Sequence, residues 1–227
     1  MNRTKIEWCD YTWNPIKGYC PNTCEYCYAH RLYDRFGWDK TLRLDEDELR
    51  RIETLSGSKR IFVGSTIEMY HPKIPQDWLD RVFTVSCLCP DHTFITLSKQ
   101  PTEQHMIEFP LHWWIGVSTT GEFTQLPKMP WNSNNVHFVC FEPLLQKVDT
   151  QVLNQLHRYD WIIIGGLTPR PRHEKEWIDE VLQYAREADV PVFIKDNAHY
   201  PVEYRMFPRD RHRSTEEFHS ARDEVGK

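Results

Sequence analysis

The sequence lacks any apolar stretch of the length that crossing a membrane requires. Its longest apolar runs are short, such as WIIIGG at 161–166, whereas a membrane helix needs roughly 20 apolar residues. The N-terminal segment MNRTKIEWCD also lacks the apolar core of a signal peptide. We therefore expect a cytoplasmic protein that makes no contact with a membrane.

An excess of positive charge is missing too. The formal net charge is −5, so no general basic field is available to hold DNA or an anionic membrane, and only a local basic patch would serve. Internal repeats and low-complexity segments are absent from the sequence. With 40% hydrophobic and 13% aromatic residues, the 227 residues suffice for one large domain, or at most two small ones, with a packed core.

The cysteine count disfavours a disulfide framework. There are seven cysteines, an odd number, and four of them are scattered along the chain. A chain of this size in a reducing compartment does not need disulfides for its stability. The remaining three, Cys20, Cys24 and Cys27, lie too close together in the sequence to pair usefully among themselves.

Short apolar runs that end in small or polar residues recur along the chain and predict strands. They are RIFVGST at 60–66, TFITLSK at 93–99, WWIGVST at 113–119, HFVCFEP at 137–143, WIIIGG at 161–166 and VPVFIKD at 190–196, with YTWNPI at 11–16 as a seventh. Apolar residues at consecutive positions suit strands that are buried on both faces. Apolar residues at helical spacing predict helices between strands, at 74–89 and 175–188.

This alternation predicts an α/β protein with a parallel sheet. Because seven strands are fewer than the eight of a closed barrel, we favour an incomplete, open barrel, and a doubly wound sheet is the alternative. In both architectures functional residues collect at the carboxyl ends of the strands. The residues at the predicted ends include Ser65, Thr66, Glu68, Ser98, Lys99, Ser118, Thr119, Glu142, Gly165, Gly166, Lys195 and Asp196. We therefore expect one site to gather these groups.

Each of these residues also has a purely structural interpretation. A serine or threonine at a strand end is commonly a turn or N-cap residue. The pair Gly165-Gly166 is commonly a turn. Glu142 and Lys195 follow runs that should be buried, where a charge is costly without a partner. These two residues therefore either pair with each other or contact a ligand.

The stretch CPNTCEYCYAH at 20–30 carries three cysteines with gaps of three and two residues. A structural zinc site needs four ligands; His30 is a candidate fourth, but no second C-x-x-C motif is present. Three thiolates on one loop suit a 4Fe-4S cluster that leaves one iron open. The spacing therefore favours a cluster over zinc.

The spacing C-x3-C-x2-C, with Tyr26 before the last cysteine and a position after the first strand, resembles the signature of the radical S-adenosylmethionine (SAM) superfamily. The resemblance implies a partial (βα)6-type parallel barrel. It also implies that Cys20, Cys24 and Cys27 hold a 4Fe-4S cluster whose open iron binds SAM. One-electron cleavage of SAM then yields a 5′-deoxyadenosyl radical that abstracts hydrogen from a substrate, and an electron donor of flavodoxin or ferredoxin type is required.

The resemblance also assigns roles to strand-end residues. Ser65, Thr66 and Glu68 lie where superfamily members contact the amino group of SAM, and Ser118 is placed to contact the ribose. We also count Tyr26, Tyr28, Gly165 and Gly166 among the candidate groups around the cluster and cofactor, with ordinary packing as the alternative for Tyr28. Lys99, Glu142 and Lys195 are assigned to polar parts of SAM or to the substrate.

Further blocks resemble a phage- and mobile-element-associated family of radical-SAM-like proteins of undefined function. The blocks are TKIEWCDYTWNPIKG at 4–18, RIFVGSTIEMYHPKIPQDWLDRVF at 60–83, and HTFITLSKQP, WWIGVST, FVCFEPLL, DWIIIGG and VPVFIKD further on. They cover residues 4–197, which predicts a barrel domain over 1–197 and a charged C-terminal extension over 198–227. The sequence departs from the family where Glu68 replaces the usual Asp and Leu167 the usual Glu.

Basic residues suggest a nucleic acid or nucleotide substrate. The loop TPRPRHEK at 168–175 adds Arg170 and Arg172 to the predicted polar rim, and Arg205, Arg209, Arg211 and Arg213 form a second run. Arginine clusters bind phosphate well, although acidic residues interspersed here equally suit a solvated face. A base in duplex DNA would have to leave the stack to reach such a site. The alternative function is a non-catalytic zinc or iron–sulfur protein that binds nucleic acid.

Overall fold

Seven parallel strands follow one another across the main sheet in the order in which they occur along the chain. The computed structural model describes residues 1–126 and 134–208, and within them an eight-stranded sheet has the order β1-β2-β5-β6-β7-β8-β9-β10, with only β1 antiparallel to its neighbour. Its strands are β1 Asn2–Arg3, β2 Tyr11–Trp13, β5 Arg60–Val63, β6 Thr93–Ser98, β7 Trp113–Thr119, β8 Val136–Phe141, β9 Trp161–Ile164 and β10 Val192–Ile194. A separate antiparallel pair is formed by β3 Ile16–Lys17 and β4 Arg43–Leu44.

Helices connect the parallel strands. In the described residues they are α1 Tyr28–Phe36, α2 Glu46–Arg50, α3 Gln76–Cys87, α4 Pro101–His105, α5 Thr150–Leu153 and α6 Lys175–Glu187. The predicted α/β class, the parallel sheet and the helices within 74–89 and 175–188 are therefore confirmed. No helix in the described parts of the chain has the length and apolar character that spanning a membrane would take.

All seven predicted strands are present, with shorter bounds in most cases. The run at 11–16 ends as a strand at Trp13, since Pro15 has no N–H to donate to a ladder. The prediction did not include β1, which pairs with β2 at the edge of the sheet through the register Asn2 to Thr12.

The helices pack against one face of the sheet. Leu79 and Val82 of α3 share an apolar cluster with Ile61 of β5, and Ile178 of α6 shares another with Ile162 of β9. The other face is covered by a third cluster without helical residues, in which alternate strand positions meet. Its buried members are Trp8, Cys9, Phe62, Ile95, Trp114, Val136, Phe138, Cys140, Trp161, Ile163 and Phe193.

Trp8 demonstrates that the sheet is strongly curved. Its ring centroid lies 4.8 Å from that of Phe62 on β5 and 6.4 Å from that of Trp161 on β9. In a flat sheet these strands would be roughly 19 Å apart, because four spacings of about 4.8 Å separate them. Both rings reach one indole only because the sheet bends around this cluster.

Chain segments from both termini cover the last strand. The carboxylate of Glu7, in the β1–β2 connection, accepts a hydrogen bond from Asp196 N at 2.7 Å, just beyond β10. Residues 204–206 run antiparallel to β10, with Ile194 N donating to Tyr204 O at 2.9 Å. The guanidinium carbon of Arg60 then lies 3.9 Å from the ring centroid of Phe207. This part of the predicted C-terminal extension therefore packs on the sheet, and residues 209–227 lie outside the described residues.

Candidate functional site

A cavity of about 580 Å³ opens at the carboxyl ends of the parallel strands. Most of the predicted site residues contribute to its wall: Cys20, Cys24, Tyr26, Cys27, Tyr28, Ser65, Thr66, Glu68, Lys99, Ser118, Glu142, Gly166 and Lys195. The expectation that strand-end residues and the cysteine loop share one site agrees with this arrangement. Parallel strands in one curved sheet bring their carboxyl ends to a common rim, which is why residues far apart in sequence meet here.

The cysteine loop is tied to the residues that follow β5. The backbone N–H of Glu68 donates to Cys20 Sγ at 3.3 Å. The hydroxyl of Tyr28 donates to Ser65 O at 2.5 Å, and Cys27 N donates to Cys24 O at 3.0 Å within the loop itself. Cys27 then serves as the N-cap residue of α1. These contacts hold the loop between β3 and α1 over the end of β5.

His30 does not behave as a fourth metal ligand in this structure. Its Nε2 is hydrogen-bonded to Cys20 O at 2.9 Å, and its ring stacks on Tyr19 with a centroid separation of 4.0 Å. His30 is not among the residues that line the cavity. The zinc set C-x3-C-x2-C-x2-H considered above therefore lacks support from the geometry.

The three loop thiols fit a soft-metal cluster by their chemistry rather than by a preformed geometry. Cys20, Cys24 and Cys27 are free and partly buried, and burial raises the pKa of the Cys20 and Cys24 thiols. In residues 1–126 and 134–208 no three His, Cys, Asp or Glu side chains converge closely enough to hold a metal ion. Because ligation requires thiolates, cluster binding would deprotonate these thiols and turn them toward a common point.

Glu68 is buried, and both oxygens of its carboxylate accept hydrogen bonds. It is 6% exposed and accepts hydrogen bonds from Ser98 Oγ at 2.9 Å, Lys99 N at 2.7 Å and Tyr70 N at 3.3 Å. Burial raises the pKa of the Glu68 carboxyl, and the hydrogen bonds from Lys99 and Ser98 oppose that shift. The side chain thus joins the ends of β5 and β6 and fixes the backbone that contacts Cys20.

The hydroxyls of Ser65 and Thr66 face an asparagine that the sequence interpretation did not single out. Ser65 Oγ donates to Asn14 Oδ1 at 3.1 Å, and Thr66 Oγ1 lies 3.5 Å from the same oxygen. Asn14 directly follows β2 and lines the cavity. The hydroxyls therefore connect the first two parallel strands at the cavity wall.

A chain of polar side chains continues along the ends of β6, β7, β8 and β10. Lys99 Nζ donates to Ser118 Oγ at 3.0 Å, and Ser118 Oγ lies 3.3 Å from Glu142 O. Glu142 Oε1 accepts from Lys195 Nζ at 2.5 Å and from Asn197 Nδ2 at 3.1 Å. Of the two alternatives for Glu142 and Lys195, the pairing with each other is present, and both residues also line the cavity.

The charge state of Lys195 is maintained by its partner. Burial acts to lower the pKa of Lys195, but the Glu142 charge and the hydrogen bond to it outweigh burial, so that the net pKa is raised. The Lys195 ammonium therefore lies paired with Glu142 at the cavity wall.

The two glycines have steric rather than conformational roles. A Cβ on Gly165 would lie 2.8 Å from Glu142 Cδ, and a Cβ on Gly166 would lie 2.4 Å from Asn197 O. Gly165 does not line the cavity, whereas Gly166 does. These glycines make room for Glu142 and for the backbone at Asn197, which explains the pair better than a phosphate-binding turn does.

Arg170 and Arg172 do not belong to the cavity wall. Both are exposed, and the lining ends two residues earlier with Leu167 and Thr168. The cavity lining therefore gives no support to their predicted place on the polar rim, and their contact with a substrate stays a prediction. In the second basic run, the guanidinium of Arg205 donates hydrogen bonds to Asp196 and to Ile194 O. The other three residues of that run, Arg209, Arg211 and Arg213, lie outside the described residues.

Sequence reasoning missed a set of amide side chains that complete the wall. They are Asn14, Asn22 and Asn197. Asn22 Oδ1 accepts from Gln100 Nε2 at 2.9 Å, which links the cysteine loop to the end of β6. The signal that could have revealed these residues is their position, since Asn22 lies between two candidate ligands and Asn14 and Asn197 lie one and three residues beyond a strand.

A family model described as a protein of unknown function, DUF5131, matches residues 3–222. The chain belongs to the DUF5131 family. No curated protein and no solved structure matches the chain. The family match runs beyond 197 and so includes most of the predicted C-terminal extension. The description of the family names no activity.

Proposed function

We propose that the protein is a radical SAM enzyme that uses a 4Fe-4S cluster held by Cys20, Cys24 and Cys27. The observation that carries this proposal is the position of these three free thiols on the wall of one cavity together with buried charged groups. The spacing C-x3-C-x2-C supplies three soft ligands and leaves one iron free for an external ligand.

The architecture supports a partial barrel rather than a doubly wound sheet. Doubly wound sheets carry helices on both faces and reverse their strand order at a switch point. Here the parallel strands keep sequence order, helices pack on one face, and the concave face encloses an aromatic cluster. These are features of a (βα)-type barrel that remains open between its edge strands β1 and β10.

The bound group would supply one-electron cleavage of SAM and, from it, hydrogen abstraction from a substrate. The chain's own contribution is to position and enclose these reactants. The contact from Glu68 N to Cys20 Sγ would orient one cluster ligand. The half-exposed ring of Tyr28 borders the cavity beside Cys27 and offers a surface for the cofactor.

The roles of the predicted cofactor residues are sharpened by their hydrogen bonds. Because Glu68 is buried and its oxygens are engaged, we assign it to positioning the loop and Lys99 rather than to direct contact with the SAM amino group. Ser65 and Thr66 keep hydroxyl oxygens on the cavity wall and remain candidates for that contact. Ser118 lies between Lys99 and Glu142 and is a candidate contact for the ribose.

The opposite wall is assigned to the substrate. Glu142 and Lys195 provide a carboxylate and an ammonium at the carboxyl ends of β8 and β10, and Asn197 provides an amide. Phe62 and Leu97 give the wall between them an apolar character that excludes water from a reactive intermediate. We propose a nucleobase or a nucleotide derivative as the substrate class, because polar groups at an apolar wall suit the edge and the face of a base.

The enzyme proposal also implies a place and a partner. The seven free cysteines suit the reducing cytoplasm. An electron donor of flavodoxin or ferredoxin type would reduce the cluster.

Anaerobic reconstitution with iron and sulfide tests the proposal. We expect a broad visible absorbance that bleaches with dithionite, together with release of 5′-deoxyadenosine from SAM. Cys24→Ala should abolish both, because it removes one of three ligands. Cys87→Ala is the matched control, since Cys87 is free, exposed and not among the residues that line the cavity.

The opposite result is equally specific. One tightly held zinc ion with no turnover of SAM would replace the proposal with the alternative of a non-catalytic, nucleic-acid-binding metal protein. Turnover of SAM retained by Cys24→Ala would refute the ligand assignment.

A further inference from the structure

A continuous series of aromatic rings leads from the surface to the cysteine loop. Phe36 and Trp38 stack with a centroid separation of 5.5 Å, and Trp38 contacts Tyr33 at 5.3 Å. Tyr33 contacts Tyr19 at 6.0 Å, and Tyr19 stacks on His30 at 4.0 Å. His30 Nε2 is hydrogen-bonded to the carbonyl of Cys20, so the series ends on a proposed cluster ligand.

The outer end of this series is an exposed apolar surface. Phe36, the last residue of α1, is 55% exposed, and Trp38, two residues further on, is 47% exposed. The two stacked rings expose apolar surface to water, and exposed apolar patches of this kind mark sites of interaction. Aromatic and arginine side chains are the residues most enriched where protein partners bind.

The charge around the rings is only slightly positive. Lys40 pairs with Asp34 at 2.5 Å, and Arg43 pairs with Asp39 at 2.9 Å. Arg31 and Arg35 are exposed on α1, one turn apart, and neither forms an ion pair with the described part of the chain. This face thus carries unpaired positive charge on a chain whose net charge is negative.

We propose that the surface formed by Arg31, Arg35, Phe36 and Trp38 is the docking site of the electron donor, a small acidic redox protein. The inference rests on the proposed function and names the partner of the same site. Redox complexes use small interfaces, so two rings with two charges are sufficient. Docking here would place the donor at the outer end of the ring series that ends on the Cys20 carbonyl, about 12 Å along α1 from the cysteine loop.

Other occupants fit the charges less well. A nucleic acid strand would gain from stacking on Phe36 and Trp38, but it needs several phosphate contacts, and on this face Lys40 and Arg43 are already paired with Asp34 and Asp39. An acidic protein partner needs only the uncompensated charges of Arg31 and Arg35 to be guided to this face.

The test compares two reductants on the reconstituted protein. The double variant Phe36→Ala/Trp38→Ala should be reduced by an acidic flavodoxin about tenfold more slowly than the wild type, which is the loss expected when interface anchors are removed. Its reduction by dithionite, a small molecule that needs no docking surface, should be unchanged. Binding of oxidised flavodoxin to the apoprotein, measured by calorimetric titration, should weaken by a similar factor.

Two control variants isolate the surface. Leu111→Ala removes a comparably exposed apolar side chain elsewhere and should leave both reduction rates unchanged. Arg31→Glu/Arg35→Glu should slow reduction by flavodoxin most at low salt, whereas Arg50→Glu, at another exposed position, should not.

The outcomes separate the docking surface from the proposed function. Equal reduction of wild type and double variant by flavodoxin refutes the docking surface. Slower reduction by both reductants also refutes it and assigns the rings to the integrity of the cysteine loop. Loss of binding to a fluorescent single-stranded oligonucleotide with unchanged reduction by flavodoxin replaces it with a nucleic-acid platform. A wild-type protein that takes up no cluster refutes the proposed function itself.

Discussion

The ion pair between Glu142 and Lys195 gives the most direct test of how the cavity wall is stabilised. Lys195→Met leaves the Glu142 carboxylate with Asn197 as its only described partner, and Glu142→Met leaves the Lys195 ammonium without its partner. Combined in a double variant, the two substitutions remove both charges. A double-mutant cycle on the free energy of unfolding therefore isolates the energy of the pair.

The expected coupling is about 1.5–3 kcal/mol. Two unit charges at the observed separation of 2.5 Å attract by about 7 kcal/mol at an effective dielectric constant of about 20 and by about 2 kcal/mol in bulk water. The side chains of Lys195 and Glu142 are 13% and 24% exposed, so the pair lies between these limits, and desolvation of both ions offsets part of the attraction. The double variant should therefore lose less unfolding free energy than the sum of the losses of the two single variants.

Urea unfolding monitored by tryptophan fluorescence measures the four free energies. Lys175 and Asp179 form the matched control, because their charged atoms are also 2.5 Å apart but their side chains are 52% and 40% exposed. A solvated helix pair of this kind should couple by only about 0.3–0.5 kcal/mol. A coupling for Glu142 and Lys195 that is no larger than this control would refute the interpretation of the pair as a desolvated interaction.

The pH dependence of this coupling has a defined sign. Burial alone would lower the pKa of Lys195, but the charge of Glu142 and its hydrogen bond raise the net pKa above the ordinary value of 10.5. The stabilisation is therefore complete below pH 10.5 and declines as the pH rises through the folded-state pKa. The coupling should be the same at pH 7 and pH 9, and a decline over that interval would contradict the assignment.

Two further predictions concern the packing beneath the cavity. Gly116→Ala should lower the free energy of unfolding by about 1–3 kcal/mol or more, because its Cβ would lie 2.3 Å from the Phe138 ring. Gly37→Ala is the control: its Cβ would have nothing within 4 Å, so it should cost only the strain of its left-handed backbone. Equal losses in urea unfolding would refute the steric argument. Trp8→Phe should destabilise the protein by about 1 kcal/mol less than Trp161→Phe does. The buried indole N–H of Trp8 has no partner in the described structure, whereas that of Trp161 donates to a backbone carbonyl at 2.8 Å. The reverse order would show that the Trp8 donor is paired.

The fold class could be predicted because burial on both faces leaves a direct trace in the sequence. In IFV at 61–63 and WIII at 161–164 every position is apolar, since alternate side chains pack against the helices and against the inner cluster. The curvature of the sheet could not be predicted in this way. It is visible only in tertiary contacts such as those of Trp8, which lies outside the strands and contacts both Phe62 on β5 and Trp161 on β9.

The candidate site was partly predictable for a related reason. Strand ends are visible in the sequence, and parallel topology brings them together, so that Glu68, Lys99, Glu142 and Lys195 were expected to share a rim. The direction in which each side chain points is set by tertiary contacts. Glu68 points into a set of hydrogen-bond donors and Arg170 points into solvent, although both follow a predicted strand.

By itself, the sequence determined the type and order of the strands and helices and the presence of a three-thiol loop, because periodicity, chain polarity and ligand spacing are local properties. Only the tertiary structure decided that His30 binds the Cys20 carbonyl, that Glu142 pairs with Lys195, that the glycine pair makes room for Glu142, and that Phe36 and Trp38 connect to the loop through other rings. These are contacts between segments distant in sequence or between rings whose orientation is set by packing. Their geometry depends on how the sheet curves and on which charged side chains are buried, because a buried charge is costly without a partner.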